Sequence, residues 1–329
     1  MNNDLVSICI PAFNAEKYLL KCLDSLISQS YGNIEIIIVD DASYDNTAKI
    51  ANSFSDKRIK YYKNEKNLGW RKNVKRCYDL ASGDYVTILP VDDYLDKNFT
   101  QEAVRSFEKW ENLGIWSCGC VIVDINGKEI ERNKRRVLGF IDSKEYFKQT
   151  FEMLDISPPA ETMVRRQFIQ SINGQDSYDG ELKQFPEIEL YLKISQMGFN
   201  AFNSDLYLTY RTRREDSLTG MYGSKPFVHL DRINIYDKYY RHYLLDEGNK
   251  KKSFHNIMNL ISRDLGRAVK KRDFVNIKEY ALFLKKIKSD PIYKKSFGSN
   301  NIYLCLIKFF FANFYRAFVI NKIKGNQTY

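Results

Sequence analysis

Two short runs, VSICI (6–10) and IEIIIVD (34–40), are apolar with almost no alternation of polar residues. A strand with one wet face alternates apolar and polar side chains, so runs like these belong to strands covered on both sides. Between them, residues 14–30 place Leu19, Cys22, Leu23, Leu26 and Ile27 at helical spacing, with Asn14 as the expected N-cap. A helical stretch from Thr47 to Phe54, a strand at 58–62, a helix around 71–81 stopped before Gly83, and a strand at 85–89 continue the order. Strand–helix–strand alternation of this kind folds as a parallel sheet with right-handed crossovers. The expected class is therefore α/β, Rossmann-like, with a mostly parallel central sheet flanked by helices.

The pattern then changes. WSCGCVIVDINGKEI (116–130) reads as strand with a hairpin turn at Asn126-Gly127, so an antiparallel element is expected there. FPEIELYLKISQMG (185–198) reads as a helix opened by Pro186 and closed by Gly198. NSDLYLTYRTRREDSL (203–218) reads as a short strand and a polar loop, and from about 225 onward the pattern is helical, basic and aromatic. The division expected is a domain over 1–219, with halves of about 1–95 and 96–219, followed by a helical C-terminal extension over 220–329.

Charge follows the same division. Residues 1–219 hold 29 Lys and Arg against 33 Asp and Glu, whereas residues 220–329 hold 22 against 8. A tail with a net charge of +14 suits an anionic surface such as a membrane, or simply a basic helical face that keeps the protein soluble. Nucleic acid is not the expected partner, because no recognition motif or Cys/His finger is present. Residues 301–320 are very apolar, yet Lys308, Asn313 and Arg316 argue against a spanning helix. A membrane-surface segment and a packing helix against a second copy or the core both remain open. The start has no basic n-region or signal-like apolar stretch, and the six cysteines are scattered without metal spacing. Buried thiols in a cytoplasmic protein, peripheral at the inner face of the cell membrane, are expected.

Ligands of an open parallel sheet bind beyond the carboxyl ends of its strands. The first strand ends at Pro11-Ala12-Phe13-Asn14, the second at Asp40-Asp41-Ala42-Ser43, and the fourth, in YVTILPVDDYL, at Asp92-Asp93. Four carboxylates on one edge repel each other and any phosphorylated ligand. A hard divalent ion between carboxylate and diphosphate removes both conflicts. Asp40 or Asp41 could instead accept hydrogen bonds from a base or ribose, and Asp or Ser within 41–45 could simply cap the next helix.

VSICIPAFNAEKYLLKCLDSLISQSYGNIEIIIVDDASYDNT closely resembles the opening of family 2 glycosyltransferases, and NEKNLGWRKN, ASGDYVTILPVDDYL and PEIELYLKISQMG follow in the family's order. The resemblance covers roughly residues 4–218 and implies the GT-A nucleotide-sugar fold. It implies a nucleotide pocket from Pro11, Phe13, Asn14, Glu16, Asp40, Asp41, Asn67, Arg71 and Asp92, with Asp41 against a uracil. It also implies a Mn²⁺ or Mg²⁺ site at Asp92 and Asp93, although Pro90 stands where many members carry the first Asp of an Asp-x-Asp motif. The donor implied is a UDP-sugar, hexosyl or N-acetylhexosaminyl, and the acceptor a glycan or lipid-linked hydroxyl in surface polysaccharide synthesis.

The family's acidic pair at the late helix corresponds here to Pro186-Glu187. Glu189 is accounted for as an i,i+4 partner of Lys193 on an exposed face. Glu187 lies in the first turn in register with Leu190, Tyr191 and Ile194, so it is either a base at the mouth of an apolar face or a stabiliser of the helix N-terminus. His229, His242 and His255 all lie in the C-terminal third, so a base within residues 1–219 has to be a carboxylate. One base acting in one displacement inverts the anomeric centre. Lys72, Arg211, Arg213 and Arg214 are expected near the diphosphate with Arg71. Trp70 is a sugar-stacking or a packing residue. ISPPAE (156–161) is expected, by the resemblance alone, to shape the acceptor side of the cleft. Pro90 and Pro186 keep a second reading open, an inactive nucleotide-sugar-binding assembly partner.

Overall fold

The structure, a computed structural model, describes residues 3–151, 158–171 and 186–214, with isolated helical positions at 235, 238, 239, 278, 281, 282, 285 and 289. The chain divides into two compact units, Met1–Gly220 and Met221–Tyr329. The expectations for residues 301–320, Cys305, the three histidines and the loop beyond Arg214 lie outside the described residues. No helix among the described residues is long and apolar enough to cross a membrane.

The first unit opens with β1 (Val6–Ala12), α1 (Leu19–Ile27), β2 (Ile34–Asp40), α2 (Thr47–Ala51), β3 (Ile59–Lys63), α3 (Trp70–Leu80) and β4 (Tyr85–Ile88). These strands pair in parallel in the order β3-β2-β1-β4. Next come β5 (Tyr94–Leu95), α4 (Phe99–Lys109), β6 (Leu113–Val123), β7 (Glu129–Asn133), β8 (Gly139–Ile141) and α5 (Ser143–Phe151). A 3-10 turn at Pro159–Glu161, β9 (Thr162–Arg165), α6 (Arg166–Ser171), α7 (Pro186–Gln196) and β10 (Asn200–Thr212) complete the unit.

The sheet continues from β4 through β9, β6, β10 and β5, and here it becomes mixed. β9 runs antiparallel to both β4 and β6. Two reversals restore the direction, so β6 and β10, parallel to each other, point the same way as β1 and β4. The carboxyl ends of six strands, β1, β2, β3, β4, β6 and β10, therefore share one edge. β6 and β7 form the expected hairpin, with Gly127 at φ 84 and Asp124 holding the N–H groups of Asn126 and Lys128.

Alternate side chains of the buried strands feed two cores. Val6, Ile8, Ile10, Ile36 and Ile38 meet Leu19, Leu23 and Leu26 of α1 and Phe99, Val104 and Phe107 of α4. Cys9, Ile37, Val39, Val86 and Ile88 meet Val74 and Cys77 of α3 and Leu190, Tyr191 and Ile194 of α7. This is why VSICI and IEIIIVD lack alternation: both faces are covered. Trp70 packs against the second core. The five described cysteines are free and buried.

Two local expectations are corrected. α1 begins at Leu19 with Tyr18 at its N-cap and no side-chain cap bond, so Asn14 is not the cap. Asn14 is held at φ 49 in the turn after β1, and Ala15–Tyr18 forms a separate turn through the Ala15 carbonyl. Glu189 is buried rather than exposed, although Lys193 Nζ does stand 3.8 Å from it. α7 is enclosed on nearly all sides from 187 to 192, which the helical period of its apolar residues does not reveal.

At the amino-terminal edge, one buried carboxylate on β2 ties together β1, β3 and the loop that leads into β4. Glu35 accepts from Ser7 Oγ (2.5 Å), Ser82 N (2.7 Å), Ser82 Oγ (2.8 Å) and Lys60 Nζ (2.7 Å). Burial pushes its carboxyl up, but the bonds from Lys60, Ser7 and Ser82 outweigh burial and hold it down at about 2. Gly83 is needed beside it, because a Cβ there would stand 2.6 Å from the Leu5 carbonyl oxygen.

Candidate active site

The carboxyl edge is built from strand-end turns that grip one another. After β1, the Asn14 N–H donates to Ser43 Oγ (2.8 Å), Asn14 Oδ1 accepts from Tyr44 N (3.2 Å), and Ala15 N donates to Thr47 Oγ1 (2.7 Å). After β2, Ala42 adopts φ 62. Asn14 and Ala42 are the only non-glycine positions of positive φ among the described residues, and Asn14 bonds across to Ser43 and Tyr44, which follow Ala42. Backbone held in this sparsely allowed region clusters at functional sites. Glu16 reinforces the junction by accepting from Asn46 N (3.1 Å) and Nδ2 (3.0 Å). Above it stand Phe13, about half exposed, and the exposed Tyr44, edge to face at 6.2 Å.

Asp40 and Asp41 are both buried and committed to structure. Asp40 accepts from Ser43 N (2.8 Å) and Tyr61 Oη (2.5 Å). Asp41 accepts from Asn64 Nδ2 (2.7 Å), Leu68 N (2.8 Å) and Gly69 N (2.8 Å). Gly69, at φ 82, supplies the left-handed turn into α3, and Asn67 Oδ1 shares its N–H at 3.0 Å. Asp41 thus sets the loop that carries Asn67 and delivers Arg71 and Lys72 in the first turn of α3. Pro11 is buried in β1, beyond the residues paired with β4.

β4 ends in a turn in which the Asp93 N–H donates to the Pro90 carbonyl (3.0 Å), and this turn aims both carboxylates at the end of β10. Asp92 Oδ2 accepts from Arg214 Nε at 2.7 Å, and the Arg214 guanidinium lies 4.9 Å from the Tyr18 ring. Asp93 Oδ1 accepts from Thr212 N (3.0 Å), and Arg211 Nε stands 3.9 Å from its Oδ2. Burial, and then the adjacent Asp92, push Asp93 up to about 8 against the pull of Arg211 and the Thr212 N–H.

Behind this pair lies a carboxylate that the sequence pattern leaves inconspicuous. Glu161, fully buried at the end of the 3-10 turn just before β9, pairs with Arg135 and with Arg211 Nη1 (3.4 Å). Burial pushes Glu161 up, opposed by Arg135 and Arg211. Charges of alternating sign therefore run Asp93, Arg211, Glu161, Arg135. Only the Pro-Pro-Ala-Glu run hints at it in the sequence, and nothing there indicates its two arginine partners. Arg213 is not brought to the pair; it reaches Glu131 on β7 at 3.0 Å.

Glu187 is buried in the first turn of α7. One turn on, the Tyr191 hydroxyl meets Thr162 at the start of β9, which lies at the carboxyl edge. Burial, then Tyr146 and Glu187, push that phenol well up. Among the described residues, no group of three or more His, Cys, Asp or Glu side chains is arranged as a metal cage. The protein's own donors at the edge are Asp92 and Asp93, whose Oδ1 and Oδ2 respectively accept no hydrogen bond within the described residues. Two adjacent hard oxygen donors on one turn fit a Mn²⁺- or Mg²⁺-like ion that keeps water and phosphate in the rest of its shell.

The glycosyl transferase family 2 model matches residues 7–172. GlyA of Streptococcus pneumoniae, a glycosyltransferase, is 35% identical over 111 residues, which cover 33% of this chain and 16% of that protein. The match covers 16%, 36% and 53% of the length of three curated relatives, all glycosyltransferases. Among solved structures, S. aureus TarS in complex with UDP-GlcNAc aligns at a TM-score of 0.57 with 19% identity, covering 80% of this chain and 72% of that one. The mannosyltransferase PcManGT from Pyrobaculum calidifontis, solved with GDP-Man and Mn²⁺, aligns at 0.52 with 15% identity, covering 94% and 84%. The fold is thus the GT-A fold expected from the motifs.

Proposed function

The chain belongs to glycosyl transferase family 2, and we propose that it moves a sugar from a nucleoside diphosphate sugar, a UDP-sugar, to a hydroxyl of a glycan or lipid-linked acceptor with inversion. The observation that carries this reading is the carboxylate turn: Asp92 and Asp93 meet Arg214, Thr212 and Arg211 at the same sheet edge as the strained Asn14 and Ala42 turns. TarS with UDP-GlcNAc and PcManGT with GDP-Man and Mn²⁺ support the donor class and the cation.

The residues then take distinct parts. Phe13 and Tyr44 offer the exposed aromatic surface for the base. Asp40 and Asp41 act by holding the two turns and the loop to α3, which presents Arg71 and Lys72. Asp92 and Asp93 would hold the divalent cation, which when bound supplies positive charge to the departing diphosphate. Arg211 and Arg214 add charge of the same sign beside it. Glu187 takes the proton of the acceptor hydroxyl while its oxygen bonds to the anomeric carbon and the bond to the nucleoside diphosphate breaks. The catalytic unit is 1–219, and the basic region 220–329 serves a membrane face or a second copy, where the protein builds surface polysaccharide.

Replacement Glu187→Gln tests the base. Donor binding is expected to persist while transfer falls by at least ~100-fold, the ordinary contribution of a positioned base. Wild-type transfer by that variant would remove Glu187 from the role.

A further inference from the structure

We propose that Arg214 is the resident counter-charge of Asp92, and that a divalent cation takes the Asp92–Asp93 pair only in exchange for it. The inference rests on the reading of that pair as cation ligands and adds a competitor supplied by the chain itself. Arg214 Nε is 2.7 Å from Asp92 Oδ2, a short charge-assisted bond between side chains that are 22% and 13% exposed. The same segment holds the other carboxylate, since Thr212 N donates to Asp93 Oδ1 at 3.0 Å. Two successive residues of the Pro90–Asp93 turn are thus tied to the last residue of β10 and to the residue two beyond it.

The clamp explains how two adjacent carboxylates coexist without a cation. Arg211 at 3.9 Å serves Asp93 and is tied back by Glu161, whereas Arg214 reaches Asp92 from beyond the strand. Asp92 Oδ1 accepts no bond, but a dication there would stand across one carboxylate from the guanidinium on Oδ2, and like charges at that distance repel strongly. The guanidinium has a resting place when it leaves, because it already lies 4.9 Å from the Tyr18 ring. Cation entry and Arg214 release are then two sides of one coupling. The freed guanidinium stays at the edge where the diphosphate is proposed to lie.

Titration of the nucleotide-free protein with Mn²⁺, read as free Mn²⁺ by electron paramagnetic resonance, tests the exchange without turnover. Arg214→Gln is expected to tighten Mn²⁺ binding by about tenfold, and Arg214→Lys, which keeps a charge but loses the planar fork, by less. Arg132→Gln removes a charge that pairs with Glu129 and is expected to leave the affinity unchanged. Unchanged or weaker binding by Arg214→Gln would overturn the exchange, as would a tightening matched by Arg132→Gln. If neither wild type nor variants bind Mn²⁺, the exchange and the cation reading fail together. Tightened Mn²⁺ binding with no affinity for any nucleotide sugar would instead sustain the exchange and remove the transferase reading alone.

Discussion

Single residues at the carboxyl edge divide into those that face outward and those that hold the others in place. Asp40 and Asp41 each spend the carboxylate on backbone N–H groups or a neighbouring side chain. Residue type and order made them conspicuous; the partners depend on where Leu68 and Gly69 come to lie, which no local spacing encodes. Glu161 was the harder case, since its significance comes from Arg135 and Arg211, 26 and 50 residues away. Breaking a buried ion pair by removing one partner leaves an uncompensated charge. Glu161→Leu is therefore expected to cost about 3–5 kcal/mol in urea unfolding. A cost under ~1 kcal/mol would show that Arg135 and Arg211 find solvent without it.

At the scale of elements, the parallel half was legible because β1 and β2 are covered on both faces and advertise it by losing alternation. In the mixed half the β6–β7 hairpin was legible from Asn126-Gly127, but β9 and β5 were not, because with four residues and two they are too short to carry a period. Pro186 and Gly198 mark the ends of the helix with Glu187 in the sequence, but nothing marks its enclosure, since burial of Glu189 depends on the elements around it. The Glu35 network makes a prediction of its own. Its carboxyl is held at about 2 when folded, below the usual ~4.3 of a free glutamate. The stability it contributes is therefore present above about pH 4.5 and is lost as pH falls towards 2, in total of the order of 3 kcal/mol. Urea midpoints at pH 7 and pH 3 are expected to fall more steeply for wild type than for Glu35→Gln. Parallel pH profiles for the two proteins would show that the network carries no such linkage.

The molecule as a whole consists of a unit, Met1–Gly220, whose sheet edge gathers the proposed site, and a basic unit that follows it. Residues 1–219 and 220–329 differ sharply in charge, whereas what the basic region touches is a matter of surfaces and not of composition. The central claim concerns the first unit: its edge binds a nucleoside diphosphate sugar with a divalent cation. Ligand that binds only the folded state at 100 times its Kd adds about 2.7 kcal/mol, a rise of ~5–10 °C in Tm for a domain of this size. The most direct measurement is thermal unfolding of the full chain against a panel of nucleotide sugars with Mn²⁺, with slow donor hydrolysis followed in the same samples. A UDP-sugar is expected to raise Tm and to be hydrolysed, with both effects lost on adding a chelator. A flat Tm and intact donor across the whole panel, with Mn²⁺ or Mg²⁺ present, would contradict the claim.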